Sequence, residues 1–232
     1  MSEPERIREA YARRAQRGLD NRYSLADPAN LYLFQRRERA LLGLLRRRGL
    51  LPLADTKIID VGCGTGELLA SFVRYGASPN DLAGVDLLEE RIATACGRYP
   101  SIDFRAGDAQ RLPFDDESFD IALQFTLLSS VLDEEVRRNI AAETLRVLRP
   151  GGIIVWYDFI WNPANRDTRG IALGELRELY RGCPIDARRV TLAPPISRRL
   201  APFSWTLCRL LEAAPFLCSH YLAAVEKARG AG

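Results

Sequence analysis

The fold is decided by the stretch Lys57-Ile58-Ile59-Asp60-Val61-Gly62-Cys63-Gly64-Thr65-Gly66-Glu67-Leu68-Leu69. Its first part has β-branched apolar side chains at Ile58, Ile59 and Val61, which predicts a short buried strand. From Glu67 onward, apolar residues recur at helical spacing up to Gly76, a residue type that commonly follows the last turn of a helix. Between the two, alternating glycines allow a tight turn and the close approach of a ligand. Strand, glycine loop and helix together predict the opening of a nucleotide-binding βαβ unit.

The spacing of the glycines separates two cofactor classes. Dinucleotide-binding loops follow G-x-G-x-x-G, in which the third glycine or an alanine lies beside the pyrophosphate. Here that position is Glu67, a poor neighbour for phosphate, and the third glycine is Gly66. Asp60, just before the loop, would serve an ammonium or amide donor rather than an anion. The pattern Asp60-x-Gly62-x-Gly64-x-Gly66 resembles the first motif of class I S-adenosylmethionine-dependent methyltransferases.

Length and composition indicate one soluble domain. The 232 residues are 47% apolar and 27% charged, which is ordinary for an α/β protein. No apolar run reaches the roughly 18 residues of a membrane span, and the first residues lack a signal-peptide core, so a cytoplasmic location is expected. The five cysteines are scattered and the chain has one histidine, which favours neither a metal site nor a disulfide framework.

Positive charge is carried almost entirely by arginine and is dense near the amino terminus, although the net charge is only +3. Such a cluster is either a phosphate- or nucleic-acid-facing patch or the solvated face of an amphipathic helix. The helical spacing of nearby apolar residues favours the solvated face, so a nucleic-acid partner is not expected. The arginines concerned are Arg17, Arg22, Arg36, Arg37, Arg39, Arg46, Arg47 and Arg48.

Two helices are predicted before the glycine loop, over residues 3–17 and 31–48. We interpret residues 1–52 as a helical lead-in that packs on the sheet domain and lies over its ligand cleft as a lid. Structural packing is the favoured role for Tyr32, whereas for Tyr11 and Tyr23 a packing role and a role in the cleft are equal alternatives. The candidate cleft residues are Tyr11, Tyr23 and Tyr32.

Acids follow the next two predicted strands. The second strand, residues 81–86, ends at Asp86, where an acid in a nucleotide fold accepts hydrogen bonds from both hydroxyls of a ribose. The third strand, residues 102–105, leads into Gly107-Asp108-Ala109, which again resembles the methyltransferase family. The resemblance implies that Asp108 accepts a hydrogen bond from the adenine amino group, with a turn or helix-cap role as the alternative. It also implies that Leu87 and the Ala109 N–H contact the adenine ring.

A third family-like pattern, L-R-P-G-G, lies between a predicted helix at 133–148 and a buried strand at 153–159. The strand at 118–125 precedes them, and Gln124 and Phe125 at its end are expected to face the cofactor. Residues 56–160 therefore resemble the core of a methyltransferase that acts on small molecules, which implies S-adenosyl-L-methionine as cofactor. The implied cofactor-binding residues are Tyr23, Asp60, Gly62, Cys63, Gly64, Gly66, Asp86, Leu87, Asp108, Ala109 and Gln124.

The implied fold is a doubly wound, Rossmann-like α/β sheet of seven strands, mostly parallel, with the last strand antiparallel. We expect one domain over residues 1–232, with a cofactor-binding core at 53–160 and substrate-side elements at 161–232. The elements predicted in this last part are a helix at 172–181, a strand at 185–192, a helical segment at 198–214 and a strand at 218–227.

Asp158 and His220 are the candidate general bases, with Tyr157 as a weaker one. Ligands in open α/β sheets bind outside the carboxyl ends of the parallel strands, which puts Asp158 and the loop 160–170 on the substrate side. His220, near the start of the last strand, has the only type of side chain whose unperturbed pKa lies near neutrality. Transfer without a dedicated base is an equal alternative, because holding the two reactants together already supplies much of the rate.

The motifs restrict the acceptor. The chain has neither the N/D-P-P-Y/F loop of amine-methylating DNA enzymes nor the Pro-Cys pair of cytosine enzymes. A hydroxyl on a sugar, lipid headgroup or secondary metabolite is therefore expected. Arginines in the last third of the chain indicate an acidic or phosphorylated acceptor; they are Arg166, Arg169, Arg188, Arg189, Arg198 and Arg199. The alternatives are a catalytically silent regulatory module that binds S-adenosylmethionine, and an NAD-dependent oxidoreductase, whose Tyr-x-x-x-Lys pair is missing. The oligomeric state is left open.

Overall fold

A seven-stranded mixed sheet lies at the centre of the structure, a computed structural model that describes residues 1–16, 24–161 and 165–229. Its strands are β1 (Ile58–Val61), β2 (Leu82–Asp86), β3 (Asp103–Ala106), β4 (Phe119–Phe125), β5 (Leu148–Phe159), β6 (Ile185–Leu192) and β7 (Cys218–Glu226). Their order is β3-β2-β1-β4-β5-β7-β6. β7 is antiparallel to both neighbours and the other pairs are parallel, which confirms the predicted sheet.

Helices cover both faces of this sheet, as a parallel sheet requires. They are α1 (Glu3–Gln16), α2 (Pro28–Arg47), α3 (Glu67–Arg74), α4 (Glu89–Arg98), α5 (Glu134–Val147), α6 (Leu173–Leu179), α7 (Pro194–Leu200) and α8 (Trp205–Glu212). One core layer lies between the sheet and α2, α3 and α4, and the other lies between the sheet and α5 and α6. Within the described ranges, no helix combines the length and apolarity that crossing a bilayer requires.

The central strands form because both of their faces are covered. β1 and β2 are buried along their whole length, so their residues are almost continuously apolar instead of alternating. The exceptions are Asp60 near the end of β1 and Asp86 at the end of β2. Two acids inside otherwise apolar strands point to a function at this edge of the sheet.

Aspartates fix where two of the helices begin. The carboxylate of Asp27 accepts hydrogen bonds from two backbone N–H groups in the first turn of α2, and Asp133 does the same for α5. Such caps stabilise a helix by about 1 kcal/mol because the first N–H groups have no partner within the helix. The helix predicted over 133–148 is therefore present with the expected start.

Two segments differ from their predictions. Leu148 and the residues up to Gly152 belong to β5, because the backbone there pairs with β4 and with the end of the chain. The helical segment predicted over 198–214 is divided into α7 and α8. Pro202 has no N–H to continue a helix, and the Ser204 hydroxyl accepts the N–H of Leu207 at 3.2 Å, which starts a new helix.

Charged residues lie along both edge strands of the sheet. In β3, Asp103 and Arg105 are exposed and form an ion pair of 2.7 Å. In β6, Arg188 and Arg189 are exposed. Both edges therefore present charge to solvent.

Candidate functional site

The glycine loop after β1 is built from left-handed backbone conformations. The φ angles are +80° at Gly62, +56° at Gly64 and +84° at Gly66. The N–H groups of Gly62 and Cys63 both donate to the carbonyl of Val85, at 2.7 and 3.0 Å. The loop is therefore tied to the end of β2 and turns into α3 at the carboxyl edge of the sheet, where β1, β2, β4 and β5 end.

Replacing Gly66 by Ala is expected to lower the free energy of unfolding by about 2–5 kcal/mol. The left-handed φ costs an L-residue about 1–2 kcal/mol, and overpacking adds about 1–3 kcal/mol. The overpacking arises because a Cβ at Gly66 would lie 2.7 Å from the ring of Phe104. Gly76→Ala is the matched control, since Gly76 has a φ of +99° but no atom within 4 Å of that position. Urea unfolding measures both, and equal losses would contradict the packing account.

Asp86 closes the loop from the end of β2. One carboxylate oxygen accepts the N–H of Gly64 at 2.9 Å, and the other accepts the N–H of Leu88 at 3.0 Å. An ionised carboxylate has two acceptor positions on each oxygen, so each oxygen keeps one for a further donor. Asp86 therefore combines a fixed position beside the loop with remaining capacity to bind a ligand.

Asp60 has an unsatisfied oxygen. Its side chain is only 2% exposed, and Oδ1 has no hydrogen-bond partner among the described residues. Burial raises the pKa of this carboxyl to about 8, with a further rise from Asp86 and an opposing effect from Arg37. An unpartnered buried polar atom costs about 1–3 kcal/mol, so such atoms call for an explanation. A ligand with an amino group and no phosphate beside the loop would supply the missing donor.

The loop after β3 lies next to Asp86, because the N–H of Gly107 donates to the Asp86 carbonyl at 3.0 Å. Asp108 follows directly and is half-buried. Its carboxylate accepts the backbone and side-chain N–H groups of Gln110, at 2.9 and 3.1 Å. Leu87 and Ala109 are also half-buried, so both keep surface that a ligand can contact. The fold thus brings the predicted residues of three strand ends to one place.

The side chain of Gln124 does not face this place, and the prediction for it is wrong. The residue is fully buried, with its N–H donating to Thr144 Oγ1 at 2.8 Å and its Oε1 accepting from the Tyr180 hydroxyl at 2.7 Å. Alternation along β4 turns Gln124 toward α5, while Phe125 turns toward α2. Both ends of the Gln124 amide are therefore hydrogen-bonded inside the core. Tyr23, another predicted contact, lies outside the described residues.

Asp158 lies fully buried at the end of β5. Its carboxylate accepts the N–H of Ser129 at 3.0 Å and the N–H of Phe159 at 2.9 Å, which links β5 to the turn after β4. Burial raises the pKa of Asp158 to about 6, although these hydrogen bonds oppose the rise. Because Phe159 pairs with His220 across β5 and β7, Asp158 and His220 point to opposite faces of the sheet.

His220 belongs to an aromatic row on the α2 face of the sheet. The row consists of Phe125, Tyr157, His220 and Phe159, with successive ring centroids 5.3, 4.7 and 4.3 Å apart. Arg37 of α2 lies 6.0 Å from the ring centres of Phe125 and Tyr157. Burial, together with the charge of Arg37, lowers the pKa of His220 to about 3. The imidazole is therefore neutral at physiological pH.

α1 lies across the carboxyl edge. Near its start, Arg6 donates to the carbonyl of Ser130 at 2.6 Å, in the turn after β4. Midway, the guanidinium of Arg91 at the start of α4 lies 4.1 Å from the ring centre of Tyr11. In the last turn of α1, Arg13 forms an ion pair of 3.0 Å with Asp167, which lies in the loop after β5. Tyr11 is therefore at the edge where the predicted site residues meet.

Sequence patterns do not single out Arg37 and Arg91, which both lie close to the site. They are two arginines among many, and only tertiary packing decides which of them turns inward. Tyr32 lies apart from the site, because its ring packs 5.7 Å from that of Trp205 and its hydroxyl donates to Glu212 at 3.1 Å. Tyr32 thus has the packing role that its sequence position favoured.

Comparison with known proteins adds to this geometry. Residues 58–152 match the family model of a methyltransferase domain. A phthiotriol/phenolphthiotriol dimycocerosates methyltransferase of Mycobacterium tuberculosis is 39% identical over 108 residues, which cover 46% of this chain and 38% of that protein. A demethylmenaquinone methyltransferase of Chlorobaculum tepidum is 38% identical over 98 residues, covering 42% of this chain and 38% of that protein. The chain thus spans less than half the length of these curated relatives.

Solved structures show the same fold at low sequence identity. A S-adenosylmethionine-dependent methyltransferase from Archaeoglobus fulgidus superposes with a TM-score of 0.58 at 17% identity, covering 85% of this chain and 98% of that one. The [4+2]-cyclase SpnF superposes with a TM-score of 0.61 at 24% identity, covering 82% of both chains. These likenesses establish the fold alone. The family match and the glycine loop together identify residues 58–152 as a methyltransferase domain of the class I, S-adenosylmethionine-dependent type, whose cofactor is S-adenosylmethionine.

Proposed function

We propose that this chain transfers a methyl group from S-adenosylmethionine to a hydroxyl group of a small-molecule acceptor. The observation that carries the proposal is the buried, unpartnered Oδ1 of Asp60 beside the glycine loop. This oxygen requires a donor, preferably a positively charged one, and the amino group of S-adenosylmethionine meets that requirement. Glu67 takes the position where a dinucleotide-binding loop has the glycine or alanine that lies beside the pyrophosphate. The match of residues 58–152 to a methyltransferase domain supports the same function.

The cofactor supplies an activated methyl group when bound, and this chain supplies position and surroundings. We assign the amino group to Asp60 and the two ribose hydroxyls to Asp86, whose oxygens each keep an acceptor position. The adenine is assigned to Asp108, with Leu87 and the Ala109 N–H against the ring. The loop backbone at Gly62, Cys63, Gly64 and Gly66 lies between these contacts.

We propose that α1 is the lid of this site. In the structure it is held across the carboxyl edge by polar contacts, and its fully buried residue is the small Ala10. A helix that buries little apolar surface opens at low cost in free energy. Opening α1 would release the turn that contains Ser129 and Ser130, beneath which Asp158 lies.

An acceptor with an apolar or ring-shaped part is favoured. Phe125 and Phe159, the two half-buried rings of the aromatic row, lie at the carboxyl ends of β4 and β5 and keep surface that an apolar acceptor at this edge could contact. Two relatives carry the names of lipid-type acceptors in their own titles. A sugar or another secondary metabolite is the alternative acceptor. An acidic group on the acceptor would bind Arg166 in preference to Arg169, because Arg169 already forms an ion pair with Glu175.

We propose Asp158 as the general base in preference to His220. With a pKa raised to about 6, Asp158 is ionised at neutral pH and is a stronger base than an exposed carboxylate. His220, with a pKa lowered to about 3, is a weak base, and its ring is used in the aromatic row. His220 then has a packing role on the α2 face of the sheet.

S-Adenosylmethionine and S-adenosylhomocysteine are each expected to raise the thermal unfolding midpoint by roughly 5–10 °C. At about 100 times Kd, a ligand that binds only the folded chain stabilises it by about 2.7 kcal/mol, which gives a shift of this size at this chain length. Differential scanning fluorimetry measures the shift. Hydrogen exchange under the same conditions is expected to slow in α1 if the helix closes over the ligand.

NAD is the control ligand and is expected to leave the midpoint unchanged. A shift with NAD alone would contradict the proposal. The alternative function, a catalytically silent module that binds S-adenosylmethionine, is tested by adding labelled cofactor and a panel of phenol, quinol and sugar acceptors. Cofactor binding without any transfer would favour that module over an enzyme.

A further inference from the structure

Large apolar side chains are exposed between residues 203 and 216. Phe203, Leu210 and Phe216 are 87%, 68% and 77% exposed. Phe203 precedes α8, Leu210 lies on it and Phe216 lies in the turn that follows. Leu207, one turn before Leu210, is exposed as well. A concentration of apolar surface on a globular domain marks an interaction site more often than chance.

The inner side of α8 is firmly packed. Cys208 is fully buried, and the ring of Trp205 packs edge-on against Tyr32. Glu212, at the end of the helix, accepts a hydrogen bond from Tyr32 and forms an ion pair with Arg36 of α2. The apolar residues are therefore exposed because α8 turns its other face to α2, and not because the segment lacks a core.

The same part of the chain is cationic. Between Asp186 and Glu212 there is no acidic residue, and the five charged side chains are all arginines. Arg198 and Arg199 on α7 and Arg209 on α8 form no ion pair with any described residue. The surface is thus complementary to something that is both apolar and anionic.

Topology places this surface beside the candidate acceptor site. β5 and β6 are both antiparallel to β7, so β6 ends at the same edge of the sheet as β5. α7 and α8 follow β6 directly, and α7 packs against α2. α2 in turn carries Arg37, which lies over the aromatic row.

We propose that the α7–α8 surface, formed by residues 194–217, binds an anionic lipid bilayer. The phenyl and leucine side chains enter the boundary between headgroups and acyl chains, and the arginines bind the lipid phosphates. A bilayer is the favoured partner, because exposed phenyl and leucine side chains lie in one segment with arginines, and the one acidic residue of that segment, Glu212, is already paired with Arg36. Bilayer-binding segments present this combination of apolar and cationic side chains. This binding needs neither cofactor nor acceptor, so its failure would leave the proposed methyl transfer untouched.

Co-sedimentation with lipid vesicles tests the proposal. The chain is expected to sediment with vesicles of equal parts phosphatidylglycerol and phosphatidylcholine, and to remain in solution with phosphatidylcholine alone. The combined change Arg198→Gln, Arg199→Gln and Arg209→Gln is expected to lower the partition coefficient by about 100-fold, since each arginine near an anionic surface contributes about fivefold. Phe203→Ser, Leu210→Ser and Phe216→Ser together are expected to lower it by about tenfold or more.

Matched controls come from exposed residues elsewhere. Arg39→Gln, Arg46→Gln and Arg47→Gln on α2 remove the same charge, and Leu25→Ser with Val73→Ser removes exposed apolar side chains. Both are expected to bind as the unchanged chain does, and circular dichroism confirms that all variants are folded. Failure of the unchanged chain to bind, or equal losses in the controls, would overturn the proposal. So would a dimer in light scattering that the serine variant converts to a monomer, because the surface would then join two copies.

Discussion

Asp60→Asn is expected to weaken the binding of S-adenosylmethionine by about 100- to 1,000-fold, a loss of about 3–4 kcal/mol. Asparagine has the same shape but no charge, so the cofactor amino group would be left buried without its counter-ion. Isothermal titration calorimetry with S-adenosylhomocysteine measures the loss without turnover. Asp55→Asn, at an exposed position, is the matched control and is expected to bind normally.

The same substitution is expected to have the opposite effect on the free protein. The pKa of Asp60 is about 8 in the folded chain against 3.8 in the unfolded chain. Its stabilising contribution is therefore complete below about pH 4 and is lost as the pH rises through about 8. Relative to Asp60→Asn, the unchanged chain should lose unfolding free energy over this interval. Urea unfolding at several pH values measures the difference. A variant that is destabilised at neutral pH yet binds the cofactor normally would contradict the assignment.

Asp158→Asn is expected to lower kcat by about 10²–10⁴-fold, with the affinity for the cofactor unchanged. The amide oxygen of asparagine can still accept the N–H of Ser129, but it cannot take a proton from the acceptor hydroxyl. In the unchanged chain, kcat should rise with pH through about 6, where Asp158 ionises. The residual activity of the variant should lack that rise. Steady-state kinetics from pH 5 to pH 8 measure both effects.

His220→Phe tests the other candidate base and is compared with Asp158→Asn. Phenylalanine keeps the stacking on Tyr157 and removes the imidazole nitrogens, so kcat is expected to stay within about tenfold of its original value. A large loss here with a small loss in Asp158→Asn would reverse the two roles. Small losses in both variants would show that the chain transfers the methyl group without a dedicated base.

The cofactor half of the fold could be predicted because its determinants are local. Alternating glycines and an acid within seven residues define the loop, and Asp86 follows at the end of the next strand. Asp133 marks the start of α5 through its own hydrogen bonds. Each of these features depends on residues close together in the chain, so spacing alone reveals it.

The acceptor side depends on contacts between distant segments and could not be predicted in the same way. β4 is buried on both faces, so it lacks the alternation that would tell whether Gln124 or Phe125 turns to the ligand. The aromatic row joins residues of three strands, β4, β5 and β7, and Arg37 reaches it from α2, which lies far earlier in the chain. The exposure of Phe203 and Leu210 likewise follows from how α8 docks on α2.

The charged edges of the sheet restrict how this protein can associate with others. An incoming strand would have to pair with β3 beside the Asp103–Arg105 ion pair, or with β6 beside Arg188 and Arg189, and would remove these charged side chains from water. Such edges disfavour strand addition and therefore fibril-like aggregation. A protein that binds this chain is accordingly expected to dock on its helices or loops and not to extend its sheet.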